Sequence, residues 1–247
     1  MLQIYAKNDG SSNQEKAELL NSFFRSVFTE EQEGDLPDPP HFYYGSELSN
    51  IDIPVEKVKK LLRSLRTGKA PGPDGLHPLI LSKAADVIAK PITTLFRRSL
   101  SEGSIPGDWR LANVTPIFKK GSRLCPNNYR PVSLTCILCK LMEKLVREQL
   151  QLVCHLERNN LISEVQHGCV KGRSCVTQLL DVLDLWTGTL DDGGSVDVIF
   201  MDFQKAFDSV PHRRLVSKIM AHGITGRVLK WIQDFLRDRQ QRVVVGV

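Results

Sequence analysis

Residues 196–203 read VDVIFMDF, and this run constrains the fold more than any other feature of the chain. It follows Asp191-Asp192-Gly193-Gly194, a strong turn signal, in a sequence whose apolar residues otherwise recur mostly at helical spacing. Every residue of 196–201 except Asp197 is apolar. The run is far too short to span a membrane, so it predicts a buried strand that carries Asp202 at its C-terminal end. A second acid, Asp208, lies six residues later. A rigid strand ending in a carboxylate is a good mount for a hard oxygen ligand to Mg²⁺, although a two-metal site needs further acids from elsewhere. On spacing alone, Asp202 and Asp208 also read as caps of a turn and the helix that follows it.

Before that run the pattern is largely helical. Ser12-Asn13-Gln14-Glu15 has capping-box spacing, and Leu19, Leu20, Phe23, Phe24, Val27 and Phe28 form a stripe that needs a partner surface. Residues 30–45 are acidic, hold Pro37, Pro39 and Pro40, and read as a linker. Pro54 opens a second amphipathic helix that stops near Gly68. The loop GKAPGPDGLHP (68–78) is too rich in Gly and Pro for a helix or central strand. Helical spacing returns over 79–100, where Pro91 is expected to break it and Gly103 and Pro106 to close it. NVTPIFK (113–119) and YRPVSL (129–134) predict a hairpin with a basic tip. Helices follow over 137–155, from the loop QHGCVKGRSC (166–175) to about Leu190, and over 213–222 and 225–237. The sequence RQQRVVVGV then looks like the start of a strand. This order argues an α+β fold.

The charge is uneven. Residues 1–56 carry 3 Lys/Arg against 11 Asp/Glu, and residues 57–247 carry 30 against 17, net +13. The basic stretch suits a polyanion, nucleic acid above all, and equally suits a solvated basic surface. Lys119, Lys120, Arg123 and Arg130 could grip a triphosphate from the hairpin, or simply be solvated there. His167, Lys171 and Arg173, set among glycines, suit phosphate contacts. Gly68 to Gly75 lacks the preceding strand and the Gly-Lys-Ser/Thr ending of a phosphate-binding loop. Cys136 and Cys139, with Cys154, His155, Cys169 and Cys175 downstream, fit no zinc spacing well. Six cysteines without a signal-peptide core in MLQIYAKNDG are expected to be reduced thiols, which places the protein inside the cell, in nucleus or cytoplasm, with no membrane partner.

The string IFMDFQKAFDSVPH (199–212) resembles motif A of reverse transcriptases, in the form found in non-LTR, LINE-type retrotransposons of the jockey-like branch. GKAPGPDGLHP (68–78), WRLANVTPIFKKG (109–121), NYRPVSLT (128–135) and QHGCVKGRSC (166–175) agree in the same order, and KAELLNSFFRSVFT (16–29) resembles the stretch leading into that domain. The resemblance implies a right-hand polymerase truncated before motifs B and C. Residues 1–50 would be an N-terminal helix and acidic linker, 51–195 the fingers, and 196–247 the start of the palm. Asp202 matches the catalytic metal ligand, joined by the backbone carbonyl of Phe203, with Mg²⁺ as the expected ion. Lys119, Arg130, Lys205, Ala206 and Phe207 match dNTP-binding positions, and Phe207 matches the bulky residue beneath the sugar that excludes a 2′-hydroxyl. Gln166, His167, Lys171 and Arg173 match a segment near the template.

Cys169 departs from the aromatic residue usual in that loop. The partners implied are an RNA template, a DNA primer and dNTP. Without the Asp-Asp pair of the family, the chain alone is expected to be inactive. The alternative is a catalytically dead remnant that acts as a nucleic-acid-binding or interaction module.

Overall fold

The computed structural model describes residues 12–29, 31, 34, 36, 39, 47–151 and 155–245. Among these the elements are α1 (Asn13–Arg25), α2 (Val55–Arg63), α3 (Pro78–Lys83), α4 (Ala85–Glu102), β1 (Leu111–Phe118), β2 (Tyr129–Thr135), α5 (Ile137–Gln151), α6 (His155–Arg158), α7 (Cys175–Asp191), α8 (His212–Ala221), α9 (Gly226–Leu236) and β3 (Gln240–Val243). The mixture of helices with one small sheet is the α+β arrangement that the sequence predicts.

The hairpin forms as expected. β1 and β2 pair antiparallel with Ala112 opposite Thr135 and Phe118 opposite Tyr129. β3 then joins the other edge of β1, running parallel to it, with Leu111 opposite Gln240. The stripe on α1 finds its partner here. Leu20 and Phe24 are buried against Val114 and Tyr129, with Phe23, Phe118 and Val243 packed around them. The predicted capping box starts this helix, since the Glu15 N–H donates to the Ser12 hydroxyl at 3.2 Å and the Ser12 N–H to the Glu15 carboxylate at 2.6 Å.

The larger core joins α2, α3, α4 and α5 to α9. Val58, Leu62, Phe96, Met142, Leu145, Val228 and Trp231 are all buried in it. Phe96 meets Trp109 edge to face at 5.8 Å, and the Trp231 indole N–H donates to the Ser99 hydroxyl at 3.0 Å, so that polar atom enters the core satisfied. The 68–78 loop docks on the β2–α5 junction. At Gly72 an added Cβ would stand 2.6 Å from the Thr135 carbonyl oxygen, so only glycine allows this approach. Asp74 accepts the Cys136 thiol at 2.9 Å, and the His77 ring accepts the Leu79 N–H at the start of α3.

Two expectations fail. Pro91 does not break its helix; α4 runs through it, and the break falls at Ala84, between α3 and α4. The carbonyl deprived of an N–H partner belongs to Val87, which is 79% exposed, so water can satisfy it. The predicted buried strand over 196–203 is not formed either. The segment is irregular, and Ile199, Phe200 and Met201 are more than 80% exposed. A strand needs a neighbour to complete its ladder, and no described strand runs beside it. The expected 137–155 helix ends as α5 at Gln151, and residues 152–154 lie outside the described ones. So do residues 1–11 and most of the acidic 30–45 stretch. No helix among the described residues is long and apolar enough to cross a membrane.

Candidate functional site

The hairpin presents two different faces because side chains alternate along a strand. One face is covered by α1. The other carries Ile117 opposite Arg130, both exposed. Lys119 follows directly after β1, also exposed, with its backbone N–H donating to the Asn128 carbonyl at 2.8 Å. The tip between the strands is ordered by its own contacts. The Tyr129 hydroxyl donates to the Arg123 carbonyl at 2.9 Å, and the Arg123 guanidinium lies 4.7 Å from the centre of the Phe118 ring. Arg123 is thereby held against the hairpin, whereas Lys119 and Arg130 are presented to solvent.

Residues 204–209 form a turn beside this tip. Lys205 adopts a left-handed backbone conformation (φ 50°), and its carbonyl accepts the N–H groups of Asp208 (2.9 Å) and Ser209 (3.1 Å). Its ammonium sits 4.4 Å from the centre of the Phe23 ring on α1. Phe23, Ser26, Asn127, Gln204, Lys205 and Ser209 line one cleft of about 350 Å³ where α1, the hairpin tip and this turn meet. The structure thus brings Lys205 beside Asn127 at the hairpin tip, on the α1 side.

The neighbouring candidates are placed differently. Asp202 and Phe203 lie in exposed, irregular chain, and Ala206 and Phe207 are exposed within the 204–209 turn, Phe207 at 92%. No group of three or more His, Cys, Asp or Glu among the described residues gathers into a metal cluster. A metal site built on Asp202 would need acids from outside the described residues.

The loop that leads into α7 uses most of its candidate side chains on itself. The Arg173 guanidinium donates to the carbonyls of Glu164 and of Gln166 (3.0 Å for the latter). The Gln166 amide donates to the Gly168 carbonyl at 2.9 Å. His167 is pinned between the Thr177 hydroxyl (3.2 Å) and the Asp181 carboxylate (3.1 Å). Lys171 remains exposed. Cys169 has φ 61°, a conformation that its Cβ makes costly.

Two features escape a reading of the sequence. Asp234, on α9, is buried yet satisfied: it accepts the Ile105 N–H at 2.8 Å and pairs with Arg110 at 2.8 Å. Burial alone would raise its pKa, but the Ile105 N–H and the Arg110 guanidinium outweigh burial and hold it below the ordinary carboxylate value. An acid one residue from the apolar stripe of Val228, Trp231 and Phe235 was the available signal. The second is Glu31, whose carboxylate accepts the backbone N–H of Arg213 at 2.7 Å, at the start of α8. Cys136 and Cys139 sit in the main core. Burial, then the Asp74 carboxylate, pushes the Cys136 thiol up to about 12, and burial raises Cys139 as well, so neither is a ready thiolate.

Residues 117–246 match the family described as reverse transcriptase (RNA-dependent DNA polymerase). Similar proteins include the probable RNA-directed DNA polymerase from transposon BS of Drosophila melanogaster, 29% identical over 68% of this chain and 18% of the relative. The RNA-directed DNA polymerase from mobile element jockey of Drosophila melanogaster is 30% identical over 67% of this chain and 18% of the relative. The Pol polyprotein from the type-1 retrotransposable element R2 of Popillia japonica is 23% identical over 72% of this chain and 23% of the relative. The chain therefore spans about a fifth of the length of these curated relatives.

Proposed function

Since the chain belongs to the reverse transcriptase (RNA-dependent DNA polymerase) family, we propose that it forms the fingers and the first part of the palm of a retrotransposon polymerase that binds an RNA template and a DNA primer. In this reading residues 51–195 are fingers, 196–247 begin the palm, and 1–50 supply α1 and an acidic connection. The observation that carries it is the shared cleft, in which the turn that follows Asp202 lies beside Asn127 at the tip of the hairpin that bears Lys119 and Arg130. Cations on a hairpin opposite a carboxylate-bearing turn are suited to a nucleoside triphosphate. Lys119 and Arg130 would hold its phosphates from the hairpin face turned away from α1, and Lys205, which rests over Phe23 on the α1 side, would have to leave that ring to join them, with the Ala206 backbone beside it. Phe207 would lie under the sugar. Lys171 would meet the template backbone, with Arg173, Gln166 and His167 shaping its loop.

Reverse transcriptases use divalent metal ions. Asp202 and the Phe203 carbonyl are this chain's proposed share of such a site, but one exposed carboxylate is not a complete one, and no metal-borne step is assigned to these residues.

The test has two arms on the purified chain. Binding of a labelled DNA primer on an RNA template, read by fluorescence anisotropy, should weaken steeply with salt, as phosphate contacts require. Salt-indifferent binding, or none, would refute the nucleic-acid surface. Primer extension with Mg²⁺ or Mn²⁺ should be absent. Extension that disappears in Asp202→Ala would instead mean that other acids within residues 1–247 complete the site.

A further inference from the structure

From Phe23 to Ser49, the described N-terminal residues meet the segment from Lys205 to Arg227 at successive points, in broadly the same order along both. Phe23 holds Lys205 through its ring face at 4.4 Å. The Thr29 hydroxyl donates to the Ser209 carbonyl at 2.8 Å. The Glu31 carboxylate accepts the N–H groups of Arg213 (2.7 Å) and Arg214 (3.4 Å), while the Arg213 guanidinium donates to the Gly34 carbonyl at 3.1 Å. Farther along, the Leu48 N–H donates to the Gly223 carbonyl at 2.8 Å, its carbonyl accepts the Thr225 N–H at 3.0 Å, and the Ser49 carbonyl accepts the Arg227 N–H at 3.0 Å. The approach there is close: a Cβ on Gly226 would lie 2.9 Å from the Ser49 carbonyl oxygen.

We infer that α1 together with Thr29 and Glu31 acts as a strap that sets the position of the 205–214 segment, with Phe23, Thr29 and Glu31 as its positioning residues. The physical need is plain. The turn at 204–209 contains a lysine in the left-handed region, which a non-glycine residue adopts only at a cost, and it directly follows the exposed chain of 196–203. It lies outside both buried clusters, so packing within a core does not hold it. The ring, the hydroxyl and the carboxylate supply contacts of three kinds, each specific in direction. Glu31 also places a negative charge where the α8 dipole and Arg213 favour one. Any consequence for nucleotide binding rests on the function proposed above; the strap itself does not.

Amide hydrogen exchange on the full chain, without nucleic acid or nucleotide, tests this. Phe23→Leu keeps an apolar group on α1 but removes the ring face, and Phe23→Tyr keeps the ring. Exchange at Asp208 and Ser209 should quicken about threefold to fivefold in Phe23→Leu and remain near the wild-type rate in Phe23→Tyr. Glu31→Gln should quicken exchange at Arg213 and Arg214 while leaving Val114 and Tyr129 in the sheet unchanged. The strap would be overturned by unchanged exchange over 208–214 in both Phe23→Leu and Glu31→Gln. It would also be overturned if Phe23→Tyr were as damaging as Phe23→Leu, or if sheet amides quickened alongside, because Phe23 would then be only a packing residue of α1.

Discussion

The helices α4 and α7 are alike in length and in apolar content, and they end up in opposite environments. α4 buries Ala85, Ala89, Ile92, Phe96 and Leu100 against α2 and α9, whereas α7 has no buried residue, and Leu179, Leu180, Leu183 and Leu185 are at least half exposed. The same holds for the two apolar extended runs. Residues 111–118 pair with β2 on one edge, and with β3 over 111–114 on the other, and are covered by α1, while residues 196–203 pair with nothing described and are bare. Apolar pattern states a demand for burial; a partner at the right place decides whether it is met. Among the described residues α7 and 196–203 form a continuous stretch, through the Gly193–Gly194 turn, whose demand is unmet. Patches of this kind mark surfaces that are covered by something else or that associate.

The strongest way to break the contrast is to truncate one side chain on each side of it. Phe96→Ala should cost about 3–5 kcal/mol of unfolding free energy, measured by urea denaturation, because the ring is fully buried and its space cannot collapse. Phe200→Ala should change stability by less than about 0.5 kcal/mol. A comparable loss at Phe200 would show that 196–203 is buried in solution.

Next in size is the buried acid. Asp234→Ala should cost about 3 kcal/mol by leaving the Ile105 N–H without its acceptor and Arg110 with only the Asp234 and Arg237 backbone carbonyls in place of its carboxylate partner. Its pH dependence sharpens the test. The folded-state pKa lies below the ordinary value of 3.8, so its contribution is complete well above that value and is lost as pH falls through the lower folded one. Stability profiles of wild type and Asp234→Asn should therefore converge at low pH; parallel profiles would mean that the carboxylate is not the stabilising species.

The exposed stretch offers a third measurement. Leu183→Lys with Phe200→Ser should reduce self-association in sedimentation velocity and lower dye binding to apolar surface, with little change in unfolding. Unaltered association would assign it to another surface. The smallest effect is expected at the loop. Lys171→Ala should lower the slope of log affinity against log salt by about one for a nucleic-acid ligand. Arg173→Ala should instead loosen the loop, since its guanidinium serves the Glu164 and Gln166 carbonyls.

Local physics made much of this legible in advance. The capping box at Ser12, the glycine stop at Gly103, the loop at 68–78 and the hairpin over 111–135 all arise from residues near one another in sequence, and all were readable there. The helix break is instructive in the other direction, for Pro91 is tolerated because Val87 happens to face water, which its neighbours in sequence do not reveal.

Of the candidate site, residue types and their order were readable from the sequence, together with the basic hairpin. Which groups meet was not. Lys205 over Phe23, Glu31 at the start of α8, Asp234 against Arg110 and β3 alongside β1 each join residues more than a hundred positions apart. Such pairings depend on where whole elements pack, and packing sums many weak contacts that no local pattern encodes. The run at 196–203 shows the boundary most clearly. Its sequence by itself determined that it is apolar, extended in preference and terminated by Asp202. Only the tertiary structure decided that it stands exposed, because a strand is stable through hydrogen bonds to a neighbour and none of the described strands reaches it.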